Sequence, residues 1–271
     1  MIDEFKRWPE SFPDRWASEW GEDKYGLWMA FHYKQVRHVM RWIEPGTFMM
    51  GSPENEVERE TWGADETLHQ VTLSQGFWLG ATTVTQELWQ AVTGDNPSRF
   101  KGDQRPVEQV SWEDAQKFMA ELNKEIPGLE LDLPTEAQWE YACRAGTITP
   151  FFFGENISTD QVNYNTAGGE KGSYQGETVE VKALPCNDWG LYQMHGNVWE
   201  WCRDWLGDYP LVPVVDPSGS AGGITSSRVF RGGSWFDYSR SCRSASRNGS
   251  QQDNRRLTLG FRLARGRTGR R

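Results

Sequence analysis

The stretch from Arg231 to Asn248, RGGSWFDYSRSCRSASRN, combines a regular frame with irregular contents. The frame consists of two glycines, a tryptophan and four arginines, which are Arg231, Arg240, Arg243 and Arg247. The side chains between these positions share no chemical type, and neither a helical nor a strand period explains their order. Arginine binds carboxylates and carbonyl groups through several N–H donors at once. We therefore expect these arginines, together with Arg255, to hold the loops of this region in place.

The composition predicts a sizeable core with many irregular connections. The chain has 271 residues, of which 15 are Trp and 28 are Gly. Trp supplies large buried surfaces that need a hydrogen-bond partner, and Gly permits unusual backbone angles. The net charge of −9 argues against a nucleic-acid-binding protein, because phosphate binding requires a basic surface.

The two ends of the chain carry no recognisable targeting or membrane signal. The N-terminal segment lacks an apolar signal region, and no window reaches the length of a membrane span. A cytoplasmic protein without a membrane span is the default expectation. The four cysteines show no metal-ligand spacing, which favours reduced thiols. A disulfide bond between Cys202 and Cys242 is compatible with the sequence but is not required by it.

Alternation and turn residues predict several short strands in the first half of the chain. A hairpin is predicted over 27–43, and a third strand over 47–53. Two more strands are predicted within 70–85, on either side of a Ser-Gln-Gly turn. The segment 129–134 is predicted to be a further short strand, and the acidic segment 53–69 a surface loop.

Three helices are predicted from their capping residues. Each follows a Ser or Thr whose side chain can accept a hydrogen bond from the first turn, at Thr85, Ser111 and Thr135. Two of them have capping-box spacing, Ser111 with Asp114 and Thr135 with Gln138. These local signals predict where each helix begins.

Beyond Gly146, where the third helix is expected to end, no further helix is predicted. Short bursts of Gly, Asn, Ser and aromatic residues are typical of long loops held by buried polar groups or ions. The simplest organisation is one domain over 27–265, with an N-terminal arm at 1–26 and a frayed basic tail at 266–271.

Seven stretches resemble, in the same order, the formylglycine-generating-enzyme, or sulfatase-modifying-factor, domain family. They are PGTFMMGS, TTVTQELWQAVTGDNPS, RPVEQVSWEDAQKF, LPTEAQWEYACRAGT, WGLYQMHGNVWEWCRDW, RVFRGGSWF and LGFRLA. The resemblance covers roughly 42–264. It implies an α+β domain, the family's variant of the C-type lectin fold, with little regular secondary structure and with bound structural calcium.

The resemblance also implies two sets of calcium ligands. The second family site corresponds to Gln193, the carbonyl groups of Gly196 and Val198, and the carboxylate of Glu200. Oxygen ligands of this kind suit calcium. An alternative is that Glu200 pairs with a buried arginine such as Arg231 or Arg243.

The first family calcium site corresponds to Asn163 and the carbonyl groups of Tyr164 and Tyr174. Gly172 stands where relatives carry a carboxylate ligand. Without that acidic ligand, calcium is expected to bind this set weakly.

The family's founding activity oxidises a substrate cysteine to formylglycine with copper held by two cysteines five residues apart. The second of these corresponds to Cys242, whereas the first corresponds to Asp237. Copper(I) prefers two thiolates, so copper is not expected here. Ser234 and Trp199 do match the surroundings of that active site, and an enzyme with altered chemistry stays an alternative.

Another branch with this fold comprises the variable proteins of diversity-generating retroelements. In these systems a reverse transcriptase copies a template repeat, misincorporates at adenines, and replaces the end of the gene, here corresponding to residues 229–262. Asparagine codons of the template then encode many residue types on a fixed scaffold. The corresponding positions here are Phe236, Asp237, Tyr238, Ser241, Ser246, Gly249, Ser250, Arg256, Leu257 and Thr258.

Each of these ten residues can arise from an asparagine codon with randomised adenines, whereas Lys, Glu, Gln, Met and Trp cannot. The sequence thus favours a non-catalytic protein that binds an unknown protein or surface ligand through a diversified C-terminal surface. The alternatives are a formylglycine-generating type of modifying enzyme and an ordinary solvated loop surface. A second active-site thiol in place of Asp237 would have favoured the enzyme.

Overall fold

The computed structural model describes residues 7–59, 64–166, 174–219 and 226–266. Within these residues the chain forms three α-helices and twelve β-strands. The helices are α1 (Gln86–Thr93), α2 (Trp112–Glu125) and α3 (Glu136–Arg144). The strands are β1 (Glu19–Asp23), β2 (Gly26–Tyr33), β3 (Val36–Ile43), β4 (Gly46–Met50), β5 (His69–Leu73), β6 (Phe77–Gly80), β7 (Trp199–Trp205), β8 (Val214–Val215), β9 (Ser227–Arg231), β10 (Arg247–Gln251), β11 (Leu259–Phe261) and β12 (Ala264–Arg265).

The strands form three sheets. The largest has the order β1-β2-β3-β6-β12, and each neighbouring pair in it is antiparallel. The second, β10-β9-β7-β11, is formed by the last third of the chain and contains one parallel pair, β7 with β11. The third joins β4, β5 and β8. The predicted α+β class with few helices and short mixed strands is confirmed.

The hairpin predicted over 27–43 is confirmed as β2 and β3, with Met29 opposite Met40 and Phe31 opposite His38. All four of these side chains are buried. The strands predicted around the Ser-Gln-Gly turn are β5 and β6. They belong to different sheets, so this turn carries the chain from one sheet to another.

The capping residues begin the helices as predicted. Thr85 accepts a hydrogen bond from the backbone of Leu88, and both capping boxes, at Ser111 and at Thr135, are complete. The third helix ends at Arg144, where Ala145 adopts the left-handed conformation one residue before the expected Gly146. Among the described residues after 147, the one helical element is a 3-10 helix at Ser239–Cys242.

Residues of the predicted N-terminal arm pack against the rest of the domain, and the prediction of a strand over 129–134 was wrong. Part of the arm belongs to the domain, because β1 pairs with β2 and Trp16 packs edge-on against Trp78 with ring centroids 6.0 Å apart. The segment 129–134 forms an isolated bridge at Asp132 but no strand. The side chain of Asn123 forms hydrogen bonds with both the N–H and the carbonyl of Leu131. These backbone groups are therefore not available to pair with a neighbouring strand.

The structure also bears on the predictions for the cysteines and for the C-terminal tail. Cys143, Cys186, Cys202 and Cys242 form no disulfide bond, so the bridge between Cys202 and Cys242 is absent and three of the four thiols are buried. Nearly all of the basic tail, 267–271, lies outside the described residues. No helix within the described residues is long and apolar enough to cross a membrane.

The core packs around two aromatic anchors on the helices. On α1, Trp89 stacks on Phe118 of α2 at 5.1 Å, and both rings contact Phe261 of β11 edge-on. On α3, Trp139 is fully buried and donates its indole N–H to Glu200 of β7 at 2.8 Å. Both anchors therefore attach the helices to the C-terminal sheet.

Buried arginines of the C-terminal region form ion pairs with distant carboxylates, as the frame predicted. Arg243 binds Glu66 through two nitrogens, at 2.8 and 3.0 Å, and Arg247 binds Glu136 through two nitrogens, both at 2.7 Å. Arg231 pairs with Glu140 through one nitrogen, Nη2. These arginines tie the C-terminal loops to α3 and to the segment before β5.

A pair that is enclosed on all sides stabilises the fold mainly because breaking it leaves an unpaired buried charge. Replacing Arg243 by Met will therefore lower the free energy of unfolding by about 3–5 kcal/mol. The matched control is Arg255→Met. Arg255 binds Asp114 with the same two-nitrogen geometry, at 2.7 and 2.9 Å, but its side chain is 54% exposed.

The Arg255→Met substitution should lower the free energy of unfolding by at most about 1 kcal/mol, since exposed pairs are weakened by water and salt. Urea unfolding of the two variants measures both values. Equal losses for Arg243→Met and Arg255→Met would show that burial of the arginine pairs does not determine their contribution.

Asp204 allows a second test, because its ionisation should make the protein less stable as the pH rises. Burial, together with the charge of Glu136, raises the pKa of Asp204 to about 7. Between the unfolded pKa and this value the folded state holds the extra proton, so stability falls as pH rises through this window. The slope contributed by Asp204 is about 1.4 kcal/mol for each pH unit.

The variant Asp204→Asn can still accept the hydrogen bond that Glu136 N–H donates at 2.9 Å, but it cannot ionise. Its stability relative to the wild type should therefore increase between about pH 5 and pH 7, as measured by urea unfolding at each pH. Parallel pH profiles of the two proteins would contradict the raised pKa.

Candidate functional site

The segment Gly232–Cys242 forms a tight loop that depends on its two glycines. Gly232 and Gly233 have φ values of 102° and 73°, which L-residues with side chains rarely adopt. A Cβ atom on Gly233 would lie 2.5 Å from Cys242 Sγ. The glycine pair therefore lets the loop close over Cys242, while Phe236 and Tyr238 face solvent.

Asp237 lies at the centre of this loop and is held at one oxygen. Trp199 Nε1 donates to Asp237 Oδ2 at 2.8 Å, and Ser234 Oγ donates to the same atom. The backbone N–H of Asp237 donates to the Ser234 carbonyl at 3.1 Å. Burial raises the pKa of Asp237, and the hydrogen bonds that Ser234 and Trp199 donate to its carboxyl group, together with the charge of Arg256, oppose that shift.

Cys242, at the position of the family's second thiol, is completely buried. Its carbonyl accepts a hydrogen bond from His195 Nδ1 at 2.6 Å, while Phe152 N–H donates to Nε2 of the same ring. Burial lowers the pKa of His195 to about 4, so the imidazole is neutral at neutral pH. With Asp237 in place of the first thiol, the donors do not fit a copper site of two thiolates.

An aromatic cluster lies next to Asp237. Trp235 is buried and donates its indole N–H to the Leu257 carbonyl at 3.3 Å. Its ring contacts Phe236 at 5.5 Å and is stacked with Tyr174 at 6.3 Å. Trp235 is thus a supporting residue beneath the surface, whereas Phe236 is 59% exposed.

A second loop reaches the same place. Trp199 N–H donates to the Thr258 carbonyl at 2.8 Å, and Gln109 N–H donates to the Arg256 carbonyl at 2.9 Å. Trp199 therefore contacts both loops, one through its indole and the other through its backbone. The resulting surface, the C-terminal face, consists of Phe236, Asp237, Tyr238, Arg256, Leu257 and Thr258.

The other four predicted contact positions do not share one surface with these six. Ser246 is only 3% exposed, and its carbonyl accepts a hydrogen bond from Arg231, so its prediction as a contact residue is wrong. Ser241 is half-buried in the 3-10 helix, and Gly249 packs towards Leu206. Ser250 is buried and accepts a hydrogen bond from Arg256 Nη2 at 3.1 Å, so it supports the face.

The predicted second calcium set is arranged differently from a calcium site. Both oxygens of Glu200 accept hydrogen bonds from Arg262, at 2.8 and 2.9 Å. The Gln193 side chain bonds Asn197 and the Glu180 carbonyl. The arginine alternative is therefore favoured for Glu200, with Arg262 as its partner. Because both Glu200 oxygens are bound by Arg262, the set offers the Gly196 and Val198 carbonyl groups no free carboxylate of its own, and it does not fit calcium.

The first calcium set retains one feature of a cation site. Asn163 Oδ1 is buried and has no hydrogen-bond donor among the described residues, while its amide nitrogen donates to the Glu177 carbonyl at 2.9 Å. The backbone of Asn163 pairs with Gly196, which connects the two sets. Gly172 lies outside the described residues. An unpartnered buried amide oxygen fits a calcium ligand.

Sequence reasoning missed three residues that shape the C-terminal face. Tyr174 was predicted as a carbonyl ligand, yet its ring stacks at the face. Asn165 donates to the carbonyl groups of Asp237 and Phe236, and Gln109 anchors the Arg256 loop. All three act through backbone contacts or ring packing, for which the sequence contains no local signal.

Comparisons with solved structures agree with this architecture. Treponema denticola variable protein 1 has 30% identity and a TM-score of 0.73, with 88% of this chain and 98% of that chain covered. PvdO from Pseudomonas aeruginosa has 29% identity and a TM-score of 0.72 over the same shares of the two chains.

Comparisons with curated proteins match longer chains. The formylglycine-generating enzyme of Mus musculus is 34% identical over 213 residues, which are 73% of this chain and 53% of that protein. Serine/threonine-protein kinase pkn1 of Chlamydia caviae is 29% identical over 258 residues, which are 84% of this chain and 38% of that protein. The chain thus spans about half or less of these relatives.

The family model described as "Sulfatase-modifying factor enzyme 1-like domain" matches residues 29–267. This range contains both anchors of the core, the buried arginine pairs and the whole C-terminal face. The chain therefore belongs to the sulfatase-modifying factor enzyme 1-like domain family.

Proposed function

We propose that the protein is a non-catalytic binding protein whose C-terminal face is a diversified contact surface, as in the variable proteins of diversity-generating retroelements. One observation carries the proposal. Three of the four frame arginines, Arg231, Arg243 and Arg247, are buried against carboxylates. The irregular residues Phe236, Tyr238 and Leu257 are instead 59, 42 and 40% exposed. Residues that hold the loop and residues that can contact a ligand are thus separate.

The chemistry of the face suits binding. Phe236 and Tyr238 offer large contact areas and lose little side-chain entropy on binding. Asp237 and Arg256 add one charge of each sign, and Thr258 adds a hydrogen-bonding group. The ligand in this proposal is an unknown protein or surface molecule. The similarity to Treponema denticola variable protein 1 supports the assignment to this branch of the family.

The other candidate, a formylglycine-generating type of oxidoreductase, has less support from the site. Its activity in relatives depends on two thiols, and here Asp237 replaces one of them while the other, Cys242, is completely buried next to Gly233. Within the described part of the chain, no contact of Asp237 or Ser234 supplies a second soft ligand. The name of the Mus musculus relative describes that protein and is not transferred to this chain.

The direct test of diversification is the DNA beside the gene. We expect a near-copy of the segment encoding residues 229–262, next to a gene for a reverse transcriptase. Differences between the copies should fall at adenines of the template, in codons of the C-terminal face. The codon of Ser246 should be the same in both copies, because its side chain is buried. Other codons for buried frame residues, such as Arg243, serve as the internal control.

A combined genetic and biochemical result would contradict the proposal. Absence of the template copy, together with stoichiometric copper(I) binding that is lost in Cys242→Ala, would favour the enzyme over the binding protein. Copper(I) titration in the presence of a competing chelator measures this. Cys143→Ala is the matched control, because Cys143 is equally buried but is not part of the loop.

A separate proposal is that calcium binds at the first of the two predicted ligand sets. Asn163 Oδ1 and the carbonyl groups of Tyr164 and Tyr174 would hold the ion, which would stabilise the loops that support the face. Added calcium should then raise the melting temperature, because a ligand of the folded state stabilises it. The increase should be lost in Asn163→Ala and kept in Gln193→Ala. No increase, or loss in Gln193→Ala alone, would contradict calcium at this set.

A further inference from the structure

A carboxylate of the C-terminal face is anchored at one oxygen and available at the other. The side chains of Trp199 and Ser234 both donate to Asp237 Oδ2, and the Ser234 backbone adds a further contact to the carboxyl group, whereas no side chain in the described parts of the chain donates to Oδ1. Two donors on one oxygen fix the position of the carboxylate group. Oδ1 is thereby held in place for a donor that comes from outside the chain.

Asp237 also differs from the enclosed carboxylates of the arginine pairs. Glu66, Glu136 and Glu200 each lie within hydrogen-bonding distance of an arginine, at 2.8, 2.7 and 2.8 Å. Within the described residues, Asp237 forms no such ion pair. Arg256 acts on it through its charge alone and donates instead to Ser250 Oγ at 3.1 Å. Asp237 is therefore a partly enclosed negative charge without its own counter-ion.

Aromatic rings adjoin this charge. Phe236 and Tyr238, the two sequence neighbours of Asp237, are exposed. Tyr174 is also exposed, and besides burial the charge of Asp237 raises its phenol pKa, which places the two groups within electrostatic range. The faces of aromatic rings attract cations, and a fixed carboxylate beside them adds to that attraction.

We propose that the C-terminal face binds a lysine or arginine side chain of a partner protein, with its cationic group at Asp237 Oδ1 and its alkyl stem against Phe236 and Tyr238. This inference rests on the proposed function and specifies the ligand chemistry of the same face. An anionic group would be repelled by the negative charge of Asp237. An apolar group would cover the carboxylate and leave it without a partner, which is unfavourable.

The test uses n-butylguanidinium as the probe and n-butanol and n-butyrate as matched neutral and anionic probes. Isotope-edited NMR follows the indole N–H signals of Trp199 and Trp235 in the full chain. We expect saturable shifts with n-butylguanidinium at a Kd on the order of 1–10 mM. The other two probes should bind at least about tenfold more weakly, since neither carries a positive charge for a charge-assisted hydrogen bond to Asp237.

The variant Asp237→Asn should lower the affinity for n-butylguanidinium at least about fivefold. Its side-chain oxygen can still accept from Trp199 and Ser234, so an unchanged melting temperature shows that the loop is intact. Asp253→Asn, at an exposed carboxylate of the same region, is the control and should leave the affinity unchanged. Phe236→Ser should weaken binding without abolishing it, because the carboxylate remains.

Equal binding of n-butanol and n-butylguanidinium, or full affinity in Asp237→Asn, would overturn the inference. These outcomes are separate from the test of diversification. A template copy beside the gene without selective cation binding would leave the proposed function standing and refute the cationic ligand. Selective cation binding without a template copy would support the ligand chemistry and refute diversification.

Discussion

The rest of the structure depends on arginines of the C-terminal region that are buried against carboxylates supplied from far away in the chain. Arg243 reaches Glu66, and Arg247 reaches Glu136. In an interior of low dielectric constant, such pairs are favourable only when geometry and hydrogen bonding are nearly complete. The two-nitrogen contacts meet that requirement. The loops between the arginines are consequently fixed in position although they contain little regular secondary structure.

This arrangement explains how one segment can be rigid and irregular at once. The ion pairs are buried, whereas most residues of the C-terminal face are exposed. Trp199 joins the two loops of that face, because it bonds Asp237 on one loop and the backbone of Thr258 on the other. Substitution of an exposed residue such as Tyr238 therefore leaves the buried contacts untouched. Asp237 is the exception, because it belongs to the face but is also bonded to the support.

The sequence predicted features that are encoded locally, and missed those set by distant contacts. Helix starts at Ser111 and Thr135 followed from side chains three residues apart. The stabilising role of the arginines was predicted, but their partners were not, because Arg243 and Glu66 are 177 residues apart. Ser246 resembles the exposed positions in residue type, and only its contact with Arg231 distinguishes it. The arginine that pairs with Glu200 was not identified for the same reason, since Arg262 lies 62 residues away.

The central claim is that the support and the face of the C-terminal region are energetically separate. It is tested most directly by measuring the unfolding free energy of every single substitution across residues 229–262. Most substitutions at Phe236, Tyr238 and Leu257 should change the unfolding free energy by less than about 0.5 kcal/mol. Substitutions at Arg243 and Arg247 should lower the unfolding free energy by several times as much. Equal sensitivity of the two groups would contradict the account.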